Sequence, residues 1–182
     1  MIVKSDLHNL MRDFAPYLDV APLFTTQRLT AAAADRLVNV WCSCLDIDRL
    51  TSMEVLRAGL ARGIECPIDV DLADWFGCDY YGECASDGEM IRVRVRLDGD
   101  WHYREHNEAH ELGHVLLFHV TRDRPGVQRR GPKATTIREQ NTEILAAALL
   151  RRAQRDRART ASGRGQGFVA YLAEMFWEKW LP

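Results

Sequence analysis

Between residues 91 and 97 apolar and basic side chains alternate without a break: Ile91, Val93, Val95 and Leu97 fall on one side, Arg92, Arg94 and Arg96 on the other. Successive side chains of an extended chain point to opposite faces, so this period of two predicts a strand with one face in a core and one in water. Residues 27 to 50 are alanine-rich and carry apolar positions at helical spacing, which predicts a long helix. A second helix is expected over 52 to 62, opened by Thr51 and Glu54 at capping-box spacing and closed by a left-handed Gly63. After Pro67 the stretch 70 to 76 predicts a short helix stopped by Gly77, followed by a strand over 78 to 81. Asp98-Gly99-Asp100 supplies a turn into a helix carrying His102, His106, His110 and His114 at intervals of four. A loop rich in Arg, Pro and Gly is expected from 121 to 134, a helix from 136 to 155 and a linker from 157 to 167. A final amphipathic helix, 168 to 181, has an apolar face wide enough to dock on the core.

These elements predict an α+β fold: a small antiparallel or mixed sheet, one helix bearing the histidines, and further helices around them. The expected organisation is a helical region over 1 to 66, a core over 67 to 156, and a linker with a C-terminal helix over 157 to 182, together one compact domain. Apolar residues make up 47% and charged residues 27%, ordinary values for a soluble globular chain. No apolar run approaches the ~20 residues that cross a bilayer, so no membrane partner is expected. Met1-Ile2-Val3-Lys4-Ser5-Asp6 lacks the pattern of a cleavable signal peptide, which predicts a cytoplasmic protein. The five cysteines, Cys42, Cys44, Cys66, Cys78 and Cys84, are odd in number and form no C-x-x-C pair, so reduced thiols are expected. Net charge is −2, yet basic residues crowd the last third, including Arg122, Arg124, Arg129, Arg130, Arg151, Arg152, Arg155 and Arg157. With no interleaved aromatics and no DNA-binding motif, this predicts a solvated basic surface and no nucleic-acid partner.

The chemistry lies in the histidine helix. Residues four apart on a helix stand one above the other, so His110 and His114 offer two imidazoles to one cation, with Glu111 beside them. A catalytic zinc ion needs three ligands and an open position, and in an H-E-x-x-H motif the Glu is the proton acceptor and not a ligand. Chance produces this pattern in roughly one chain in a hundred of such composition, so context must support it. Leu112, Val115, Leu116 and Leu117 suit a buried helix, and Gly113 allows close packing. The metzincin continuation is excluded because Leu117 and Val120 stand where its glycine and third histidine belong. His106 lies about 6 Å up the helix axis from His110, a poor position for a third ligand, and is expected at the surface or bonded to a ligand. The remaining candidate donors are Glu139 and Glu143 on the next helix and the Cys84 thiol.

From about 67 to 150 the chain resembles the ImmA/IrrE-type metallopeptidases. The resemblance rests on Pro67-Ile68-Asp69-Val70 leading to Leu72-Ala73 and Gly77, on Ala109-His110-Glu111-Leu112-Gly113-His114-Val115-Leu116-Leu117 with His119 after it, and on Glu139 followed by Leu145-Ala146-Ala147-Ala148-Leu149-Leu150. It departs from the family in having Glu143 where Asn is frequent, and Arg151-Arg152 in place of a proline. The resemblance implies a zincin-like fold of the gluzincin type and a Zn2+ ion on His110, His114 and Glu139, with Glu111 as catalytic base. Glu143 would then hydrogen-bond a ligand or stand in for Glu139. It further implies a protein substrate, a helix-turn-helix repressor or antitoxin. In zinc peptidases of this build an edge strand pairs with extended substrate, a role expected here for Ile91, Val93 and Val95. Two alternatives belong to other classes: a zinc-containing module that binds a repressor without cutting it, and a peptide deformylase using Cys84 from Glu83-Cys84-Ala85-Ser86. Against the latter, Gly113 occupies the place of its usual Asp, and its glycine-rich first motif is missing.

Overall fold

A computed structural model describes residues 27–74, 80–97, 100–120, 126–130 and 136–162. Among them the chain forms α1 (Ala31–Cys44), α2 (Met53–Gly63), β1 (Ile68–Ala73), β2 (Gly82–Ser86), β3 (Ile91–Arg96), α3 (Trp101–Leu116), β4 (Gly126–Arg130) and α4 (Ile137–Ser162). The fold is α+β, with a mixed sheet in the order β1-β3-β2-β4. β1 runs parallel to β3, whereas β2 is antiparallel to both β3 and β4.

Three expected elements are corrected. Where a helix was expected over 70 to 76, Ile68, Val70 and Leu72 alternate with Asp69 and Asp71 along β1, paired residue for residue with β3 from Ile68↔Ile91 to Ala73↔Arg96. The strand expected over 78 to 81 is instead β2, beginning at Gly82; Gly77 and Cys78 lie outside the described residues. The expected loop over 121 to 134 contains β4, which Arg129 ties to β2 by donating from Nε to Glu83 Oε2 at 2.6 Å. β3 is therefore flanked on both sides, and Ile91, Val93 and Val95 are 0%, 0% and 1% exposed. They are core residues and not a substrate-binding edge.

Helix ends also differ from the pattern. Ser52, not Thr51, caps α2 by accepting the Val55 N–H at 3.3 Å. Gly63 is the last helical residue, and the left-handed conformation falls on Glu65 at φ 53°. Gly63 answers a packing need: a Cβ there would stand 2.6 Å from Leu45 Cδ2. α1 stops at Cys44, six residues before the expected end, and Asp46 turns the chain at φ 55°. α4 runs on to Ser162 through the start of the expected linker, because Arg157 donates to Thr51 O at 2.6 Å and pairs with Glu105. The expected helix over 168 to 181 lies outside the described residues.

One face of the sheet packs on α3, and α3 packs in turn on α4, which also holds α1. Being covered on two sides explains why every residue of α3 from Ala109 to Leu116 is buried. The outer face of the sheet is charged: Arg92 and Arg94 are exposed, and Arg94 pairs with Glu83 at 3.2 Å. Cys42, Cys44, Cys66 and Cys84 are free thiols. No helix among the described residues is long and apolar enough to cross a membrane.

Two polar side chains of α4 pin the segments before α1 and α2. Asn141, fully buried, accepts the Leu29 N–H at 2.7 Å and donates to Gln27 O at 2.8 Å. Asp156, 1% exposed, accepts from Leu50 N at 2.9 Å and from Arg152 Nε at 2.6 Å. Removing this carboxylate leaves the buried Leu50 amide and the Arg152 Nε–H without their acceptor. Asp156→Ala is therefore predicted to lower stability by about 2 to 4 kcal/mol, read from urea unfolding. A loss below about 0.5 kcal/mol would show that this contact does not hold the α1–α2 connection.

Candidate metal centre

The buried middle of α3 delivers His110, Glu111 and His114 to the place where α3 crosses the first turns of α4 and the start of β2. All three are 0% exposed. Close approach of the helices depends on Gly113, where a Cβ would stand 2.9 Å from Thr142 Cγ2. Thr136 opens α4 by accepting the Glu139 N–H at 3.2 Å, and one turn of α4 then separates Glu139 from Glu143. Arg138 links this turn to β4 through Gln128 Oε1 at 3.5 Å.

The two imidazoles converge on one carboxylate. His110 Nε2 lies 3.1 Å from Glu139 Oε2 and His114 Nε2 lies 3.6 Å from Glu139 Oε1. One ligand atom from each of His110, His114 and Glu139 can be chosen so that all lie within 4.8 Å of one another. Ligands at the ~2.0 to 2.2 Å distances of a tetrahedral zinc site are separated by about 3.3 to 3.6 Å, close to the 3.1 and 3.6 Å between the two Nε2 atoms and the Glu139 oxygens. The protonation chemistry fits as well. His110 has carboxylates on both ring nitrogens, since Nδ1 is 2.9 Å from Glu143 Oε2, but a neutral imidazole carries only one N–H. A cation held by Nε2 and Glu139 would leave the single N–H on Nδ1 to donate to Glu143.

Of the other expected residues, Glu143 reaches His110 but is not in the converging set, and its Oε1 takes His106 Nε2 at 2.7 Å. His106 thus supports Glu143, in keeping with its place higher on the helix. Cys84 is fully buried on β2 and outside the donor set. Burial first, then the charges of Glu111 and Glu83, push its thiol well above the usual pKa.

Three contributors were given no role by the sequence pattern. Gly82 begins β2 directly beneath Glu111, and a Cβ there would stand 2.7 Å from Glu111 Cδ and collide with Oε1. Thr142 Oγ1 lies 3.5 Å from His114 Nδ1 and donates to Arg138 O at 2.9 Å. His119 places its Nδ1 2.9 Å from that of His114. It returns to the helix through Phe118, whose φ of 56° costs an L-residue roughly 1 to 2 kcal/mol. The Phe118 ring is held against Trp41, centroids 5.8 Å apart.

Comparison with protein-family models, with curated proteins and with solved structures found no match to this chain.

Proposed function

We propose that this protein is a zinc-dependent peptidase of zincin-like build, with His110, His114 and Glu139 as metal ligands and Glu111 as catalytic base. The observation that carries the reading is the convergence of two Nε2 atoms on the two oxygens of Glu139, at 3.1 and 3.6 Å. The resemblance to ImmA/IrrE-type metallopeptidases supports it, since the converging residues are those which the resemblance implies. When bound, zinc supplies the Lewis acid that acidifies water and polarises a scissile carbonyl. Glu111, next to His110 and outside the ligand set, takes the proton of the attacking water and returns it to the leaving amine. Gly82 leaves the space in which its carboxylate stands. Extended substrate pairs with β4, which borders the site through the Gln128–Arg138 contact and, among the described residues, has a sheet neighbour on one side only.

The substrate is a protein, and the resemblance nominates a helix-turn-helix repressor encoded beside the gene. Purified chain is expected to hold about one zinc ion. Incubated with that repressor it should cut it, lose activity on chelation and regain it with zinc. A chain that takes up no zinc overturns the metal centre. Zinc-loaded protein that binds the repressor and leaves it intact turns the reading into that of a non-cleaving regulatory module.

A further inference from the structure

We infer that His119 is a positioning residue for the metal centre: it accepts the Nδ1–H of His114 and so fixes the tautomer that aims His114 Nε2 at the ion. The inference rests on the metal-centre reading proposed above. Two imidazole nitrogens 2.9 Å apart share one proton when both rings are neutral. A ligating Nε2 must be unprotonated, which places that proton on His114 Nδ1 and leaves His119 Nδ1 as acceptor. Thr142 Oγ1, 3.5 Å from both Nδ1 atoms and committed as donor to Arg138 O, adds an acceptor on the same side.

The chain spends a strained turn on this contact. α3 ends with Leu117 N donating to Gly113 O at 2.9 Å and Phe118 N to Val115 O at 3.0 Å. Left-handed Phe118, packed on Trp41, then reverses direction, and His119 N donates to His114 O at 2.8 Å. His119 is therefore bound to His114 through both backbone and ring. The two ligands are supported unequally as a result: His110 by the Glu143 carboxylate, His114 by a neutral ring. A neutral acceptor orients the ligand without adding negative charge to a site that already contains Glu111, Glu139 and Glu143.

The test is zinc affinity by chelator competition on the full chain, with unfolding of the zinc-free proteins measured alongside. His119→Ala should weaken zinc ~10- to 100-fold, the usual cost of losing a partner that orients a ligand. His119→Asn, whose side-chain carbonyl can take the place of Nδ1, should recover most of that loss, and His119→Leu should not. Should the Ala variant fail to fold, the Asn and Leu pair decides the matter alone. Equal affinity in all variants, or equal loss in Asn and Leu, overturns the role of His119 while the metal centre stands. Wild-type protein that binds no zinc overturns both.

Discussion

Glu111→Gln is expected to keep its zinc and lose hydrolysis by about 10²- to 10⁴-fold, the range a positioned proton acceptor contributes. The two halves of that result come from different parts of the structure. Zinc is retained because the proposed ligands are His110, His114 and Glu139, and none of their donor atoms is touched by the change. The side chain keeps its place because Gln has the shape of Glu and fits the same gap over Gly82, where even a methyl group would collide. What is lost is the ability to take a proton. The measurement is turnover of the cleaved repressor together with metal content of the same preparation. Full turnover in this variant would sink the proposed mechanism. Loss of zinc would show that Glu111 belongs to the ligand set and that the division of roles is wrong.

What the sequence revealed depended on how local the cause of each element was. β3 was legible because its alternation is a local consequence of having one wet face, and α3 because its motif requires a helix. β1 departs from the expected helix because the alternation of Ile68, Val70 and Leu72 with Asp69 and Asp71, held extended by the ladder with β3, outweighs the helix-like bounds at Pro67 and Gly77. β2 and β4 owe their extended form to partners. Gly82-Glu83-Cys84-Ala85-Ser86 contains no strong strand former, and β4 stands in a segment with the composition of a loop, so the ladder of β2 with β3, the ladder between β2 and β4, and the Glu83–Arg129 pair make them strands. At the site, the spacing of Glu139 and Glu143 was visible but left their division of labour open to all but the resemblance, because it depends on which turn of α4 faces α3. His119 was visible as part of the resemblance but without a role, since its contact arises from the left-handed turn at Phe118, a conformation that nothing in the side chain of Phe favours.

That division of labour yields the last prediction, in which three single changes separate three ligand assignments. Glu139 is 16% exposed at its side chain and directs one oxygen to each Nε2, so it lies on the inner side of both imidazoles. Glu143 meets His110 at Nδ1, the nitrogen facing away from the convergence, and its other oxygen is taken by His106. Cys84, opposite Val93 and Gln128 in the two ladders of β2, is fully buried and lies outside the donor set. Glu139→Ala should therefore strip zinc under mild chelation that the wild type survives, and hydrolysis should go with it. Glu143→Ala should keep a folded, metal-binding chain whose affinity falls ~10- to 100-fold, because His110 loses the acceptor that orients it but remains a ligand. Cys84→Ser should change neither. Zinc content of the three variants after the same chelator treatment decides between the assignments. If Glu143→Ala alone loses the metal, the ligand is one helical turn further along α4 while the chemistry stands. If Cys84→Ser alone loses it, a deformylase-like Cys–His–His site takes its place and the peptidase assignment fails.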